Sequence, residues 1–265
     1  NIDVGTSTPG TLTSAQITGA ISLTKNGTGT FTLGGILSND AAAQGNNFTG
    51  TTKILGGILV LGETVSIRNS AFDTTNSIIG DASNGLRSSV SSITLGGLTG
   101  DKNFANVFTT TDGGFSTLTT LTLNPGTGVT HSYAAVIGGD LSLVKTGAGT
   151  QILTNTQSFT GGTTVSAGTL ELGHPTNTLL DTGAITISGG TLDLGANNES
   201  VGAVTLTSGS ITGGGTLTGS SYDMRGGNVS AILGGSGTLT KTTAGTVTLT
   251  APNTYTGGTN VNGGI

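Results

Sequence analysis

Residues 143–173 read LVKTGAGTQILTNTQSFTGGTTVSAGTLELG, and the reading of this stretch decides the fold. Aliphatic residues alternate with Thr and other polar residues in runs of three to five, and glycines (Gly147, Gly149, Gly161, Gly162, Gly168, Gly173) separate the runs. Period-two alternation marks a half-buried strand, whereas a helix needs apolar residues three and four apart. Glycine at the breaks provides the positive-φ corners that a tightly turning chain needs.

The stretch recurs twice. Leu23, Thr24, Lys25 lead through Gly27, Gly29 and Thr30 to Phe48, Thr49, Gly50, Thr51, and Leu239, Thr240, Lys241 lead through Gly245 and Thr246 to Tyr255, Thr256, Gly257, Gly258, Thr259. From Lys to aromatic is 14 positions in the second and third copies (145 to 159, 241 to 255) and 23 in the first (25 to 48), so the first copy carries an insertion, placed at 38–47. A shorter period lies inside these units. Thr169–Gly173 and Thr191–Gly195 share the pattern x-Leu-x-Leu-Gly and lie 22 residues apart, and the same step separates Leu143 from Val165, Leu217 from Leu239 and Leu239 from Val261. A period near 22 is one turn of a β-solenoid, and 265 residues make about twelve such turns. The expected architecture is therefore all-β, one continuous solenoid over 1–265. Tandem Ig-like β-sandwiches are the alternative, because the long units are 120 and 96 residues apart.

Composition narrows the function classes. The chain has 49 Gly, no Cys or Trp, 8% charged residues and a net charge of −5. An ordinary soluble domain is about a quarter charged. With eight scattered Lys and Arg there is no basic face for nucleic acid or an anionic membrane. Without cysteine there is no disulfide framework and no thiolate metal site. No cofactor or metal is expected. The scarce charges concentrate at 66–120, with Arg68, Asp73, Asp81, Arg87, Asp101, Lys102 and Asp112, where the repeat also fits poorly, so an irregular excursion from the rod is expected there.

The sequence Leu-x-Lys-x-Gly-x-Gly-Thr, then aromatic-Thr-Gly-Gly-Thr-x-Val, then Gly-Thr-Leu-x-Leu-Gly resembles the autotransporter-associated β-strand repeat, the passenger-associated repeat of bacterial autotransporters and giant surface proteins. The second copy matches throughout. The third has Thr243 where the first Gly is usual, and the first has Thr51 where the second is usual. The resemblance implies an extracellular β-helical stalk or adhesin at a bacterial surface. Asn262–Ile265 align with Ser166–Thr169, so a piece of a longer polypeptide is expected.

Chemistry-bearing residues are few. His131, Ser132 and Asp140 lack the nucleophile-elbow context of a hydrolase, and both His131 and His174 read as exposed loop residues. Glu171 and Asp193 stack if the 22-residue register holds, a pairing that a solenoid polysaccharide hydrolase or lyase would use, but directly stacked strand residues lie only about 4.8 Å apart. No catalytic residue is assigned. The repeat residues are read as structural: Lys25, Lys145 and Lys241 keep a corner charged and soluble, Phe48, Phe159 and Tyr255 pack at a corner, and Gly161, Gly162, Gly257 and Gly258 make the turn. The expected function is a non-enzymatic stalk or fibre segment whose partner is itself, stacked end to end or continued in the same chain. The alternative is an adhesin that binds glycans, with the aromatics as a stripe.

Overall fold

The alternating runs form short strands, and a computed structural model describes residues 2–5, 10–12, 17–34, 46–77 and 80–264. Each strand pairs in parallel with the strand one turn later: Leu143 on Thr163, Thr163 on Ile185, Ile185 on Val204 and Val204 on Tyr222. Parallel pairing at intervals of about twenty residues makes a β-solenoid, here of about ten turns and almost without helix. The count falls slightly below twelve because the early turns are long. Leu23 sits on Thr52, Thr30 on Ile58 and Ile58 on Gly85, steps of 29, 28 and 27 residues. Most of the insertion at 38–47 lies outside the described residues.

Three faces enclose one core: the first carries the ladder of Leu23–Asn26 and Thr51–Ile54, the second that of Thr30–Leu33, Ile58–Leu61 and Gly85–Ser88, and the third that of Thr120–Leu123 and Ser142–Lys145. On the third face the inward columns run Leu121–Leu143–Thr163–Ile185–Val204–Tyr222–Leu239 and Leu123–Lys145–Val165–Ile187. All of these are buried, and each fully buried aliphatic side chain contributes about 1.5–3 kcal/mol. The outward residue of the same rungs is Thr at 122, 164, 186 and 205. The first face carries Thr130, Thr150, Thr169 and Thr191 in register. Thr with one side wet and one methyl packed against its stacked neighbour suits a pleated, half-buried surface.

The charged segment 66–120 does not leave the rod as a whole. Ile67–Asp73, Gly85–Ser88 and Ser92–Thr99 are rungs of the solenoid. The charges occupy outward and corner positions there; Asp73, for example, pairs with Lys53 on the turn before at 2.8 Å. Among the described residues the irregular part includes the stretch with two 3-10 helices, Phe104–Val107 and Thr111–Thr117. Phe72, Phe104, Phe108 and Phe115 meet there edge-on or tilted with ring centroids 5.1–6.4 Å apart. This cluster closes the core where regular rungs are missing.

The ladders also show a rotation. Lys25 stands on Ile54, and that ladder runs through 71–73 and 97–99 and, by the bridge Gly100–Tyr133, to Thr130–Tyr133 and Thr150–Leu153. Lys145 stands on Leu123, whose ladder runs back through Leu95 to Ile67. The first repeat copy is therefore on the first face, and the second and third copies are on the third face.

Candidate functional site

The repeated lysines are interior residues, and this corrects the expectation of exposed, solubilising corners. Lys145 follows Leu143 by two, so strand alternation turns both inward, and Lys25, Lys145 and Lys241 are 0%, 0% and 3% exposed. Each ammonium is spent on backbone carbonyls. Lys145 Nζ donates to Thr146 O at 2.5 Å, to Gly147 O at 2.9 Å and, one turn on, to Ala167 O at 3.0 Å. Lys25 Nζ donates to Asn26 O, to Gly27 O at 3.1 Å and across the turns to Gly56 O at 3.1 Å. Lys241 Nζ donates to Thr243 O and, across the turns, to Gly263 O at 3.1 Å. Corner carbonyls point away from any ladder partner, and the lysine satisfies them from inside while tying two turns together. Burial pushes the Lys145 ammonium down to about 8, and the surrounding carbonyls act in the opposite sense, favouring the charged form.

The glycine corner has the same logic in space. A Cβ on Gly161 would lie 2.4 Å from Leu141 O, one on Gly257 2.4 Å from Ser236 O, and one on Gly50 2.2 Å from Ile21 O. The second glycine is less crowded. Gly162 would meet Ala184 O at 3.1 Å, and Gly258 meets nothing but has a φ of +80°, which favours glycine, so the Thr51 of the first copy is accounted for by space at the Gly162 type of corner only. Phe48 and Phe159 are buried in the core. Tyr255 is half-buried, its ring centroid 5.9 Å from that of Tyr222 and its hydroxyl 2.7 Å from Thr259 Oγ1. The three aromatics line no common surface.

Several buried polar residues escaped the sequence reading. Glu199 is 2% exposed, and its carboxylate accepts from Thr178 N at 2.7 Å and Leu179 N at 2.8 Å. Burial raises its pKa to about 7, against the lowering effect of these two hydrogen bonds. Gln151, fully buried, accepts from Leu98 N at 3.0 Å and donates to Leu98 O at 2.9 Å, and Gln157 accepts from Ile137 N at 2.8 Å. These side chains stand in for ladder hydrogen bonds where strand pairing lapses. The available signal was parity: Glu199 shares its side of the strand with Val201, as Lys145 does with Leu143.

The candidate catalytic groups do not converge. Glu171 and Asp193 stack in register, and Gly195 N donates to Asp193 Oδ1 at 2.9 Å. His131 and Ser132 are consecutive in the strand Thr130–Tyr133, so they face opposite sides of the sheet. Asp140 accepts from Thr160 Oγ1 at 2.9 Å instead. His174 is exposed beside Thr176 O. His131 is not on an exposed loop: it is a half-buried strand residue whose imidazole covers Gly97, with Cδ2 2.1 Å from where a Cβ on that glycine would stand. Burial lowers its pKa. Among the described residues no group of three or more His, Asp or Glu is placed to hold a metal ion.

The passenger-associated transport repeat matches this chain at residues 23–61, 143–172 and 239–265. Each segment begins two residues before one of the caged lysines. The chain is also 33% identical, over 274 residues, to the Adhesin BmaC autotransporter of Brucella suis biovar 1 (strain 1330). That match spans 90% of this chain and 8% of the length of the relative. No solved structure matches the chain.

Proposed function

From a chain that carries three passenger-associated transport repeats on a parallel β-solenoid, we propose a rigid, non-enzymatic segment of an extracellular bacterial surface protein of the adhesin type. The observation that carries this reading is the set of three buried lysine corners, which join neighbouring turns and contribute nothing to an outer surface. Chemical side chains are spent on holding the rod, and the outer columns offer mainly hydroxyls and methyls. At roughly 4.8 Å per rung, the ten turns span about 50 Å. The relative's description as an adhesin supports the surface role, and the repeat supports export as a passenger.

The test is display. The segment is joined to an outer-membrane barrel and expressed in a bacterium, and intact cells are probed for protease resistance and for adhesion. The expected result is a folded, protease-resistant rod at the surface and no hydrolysis of polysaccharides. Polysaccharide cleavage that is lost in Glu171→Gln or Asp193→Asn would overturn the reading. End-to-end stacking of copies is read out separately by sedimentation velocity: a length that grows reversibly with concentration supports it, and a constant monomer removes it.

A further inference from the structure

Where the ladders rotate between faces, the corner joining the third face to the first opens into a small cavity of about 150 Å3, lined by Thr49, Asn69, Gly96, Gly126, Val129 and His131. It is far larger than a single water requires and smaller than the several hundred Å3 of a drug-sized pocket. None of its lining side chains is charged at neutral pH, since burial keeps His131 in its neutral form. Val129, 40% exposed, is one of few large apolar side chains open to solvent among the described residues. With the imidazole face it gives one apolar wall.

The polar part of the lining is held in one orientation. Asn69 donates through Nδ2 to Asn47 Oδ1 and accepts at Oδ1 from Asn124 Nδ2 at 3.3 Å, and Thr146 Oγ1 donates to Asn124 Oδ1 at 3.1 Å. Asn124 is itself anchored to Arg68 O at 3.1 Å. This chain of side-chain dipoles across four turns leaves Asn69 one N–H and one lone pair to offer. The Thr49 hydroxyl and both nitrogens of the His131 ring have no protein partner among the described residues. The polar groups of Asn69 and Thr49 thus line the same space as the Val129 side chain and the His131 ring. We propose that this cavity binds a single uncharged pyranose, with ring C–H groups against Val129 and the His131 ring face and hydroxyls on Asn69 and Thr49.

The proposal deepens the adhesin reading and rests on it for its biological sense, while the site itself stands on the geometry alone. The test uses the isotope-labelled chain and NMR titration with glucose, galactose, mannose and N-acetylglucosamine, with glucuronate as the charged counterpart. The neutral sugars are expected to shift Val129 methyl, His131 ring and Asn69 side-chain signals saturably, with dissociation constants on the order of millimolar for so small a contact. Glucuronate is expected to bind at least about tenfold more weakly, because no cation in the cavity compensates for desolvating its carboxylate.

Gly126→Leu is the blocking variant. A Cβ there meets only Val129 Cγ2, at 3.9 Å, so the chain folds and the cavity fills, and the shifts are expected to disappear. Val129→Ser removes the apolar wall at an exposed position and is expected to weaken binding severalfold. No saturable shift with any neutral sugar, equal binding of glucuronate, or shifts that persist in Gly126→Leu each overturn the proposal. Glycan arrays presenting the same sugars as chain termini distinguish a free monosaccharide ligand from a terminal residue. Gly126→Leu should leave surface display and protease resistance unchanged, so failure of this site does not register as failure of the stalk reading.

Discussion

Replacing Lys145 by Met sets two large effects against each other. Three carbonyls, Thr146 O, Gly147 O and Ala167 O, lose their donor, and a buried acceptor left unsatisfied costs about 1–3 kcal/mol. The gross loss is then about 3–9 kcal/mol. Against it, burying an ammonium costs several kcal/mol that the variant no longer incurs, and replacing buried charges by apolar groups is often neutral or stabilising. Met also fits the column between Leu123 and Val165. No other backbone donor reaches these three carbonyls among the described residues, so the loss should win, by about 2–4 kcal/mol. In a chain of this size that lowers the melting temperature by roughly 5–15 °C. Because a solenoid loses structure locally, amide exchange should accelerate most at 146–149 and 167–168. The control is Val144→Met on the outward side of the same strand, expected within about 0.5 kcal/mol of the wild type. A Lys145→Met chain as stable as the wild type, with unchanged exchange at both turns, would refute the cage as a stabilising element.

Two further perturbations follow from the same turns. Gly161→Ala forces a Cβ to 2.4 Å from Leu141 O and should destabilise by about 2 kcal/mol or more, whereas Gly162→Ala should cost under about 1 kcal/mol; equal melting temperatures for the two variants would contradict the stacking distance. Glu199 is protonated up to about pH 7 in the folded chain but only up to about 4.5 when unfolded. Both states are protonated below this window and both are ionised above it, so stability should fall by about 3 kcal/mol as pH rises from 4.5 to 7 and then level off. Urea melts of the wild type and of Glu199→Gln across that range check this, and a wild-type curve no steeper than that of the variant counts against it.

Much of the fold was legible because the repeat and the period-two alternation report the same thing: residues i and i+2, and their partners one turn later, are on the same inner face. Thr169 and Thr191 stack at the 22-residue step, whereas Leu143 and Val165 both face the core but miss each other by two residues, Leu143 standing on Thr163 and Val165 on Lys145, because turn length varies along the rod. The lysines were misplaced because charge was weighed above parity, although Lys25, Lys145 and Lys241 each stand two residues after a core leucine. Glu199, two before Val201, was passed over for the same reason. The rotation of faces had no local signal, since it depends on turn lengths accumulated between 23 and 133, and the cavity at His131 is lined from that same stretch. Its lining comes from four separate turns, and no spacing in the sequence joins Thr49 to Val129.

The placement of the first repeat copy on a different face from the other two bears on what the motif is for. A partner travelling along the outside of the rod would meet Lys145 and Lys241 behind one wall, five rungs or roughly 24 Å apart, and Lys25 behind another. No single surface reader could count the copies. What the copies share is an event in the interior, the closing of one turn onto the next as the chain winds up. Each copy thus ties two neighbouring turns together from within, wherever on the perimeter it happens to lie.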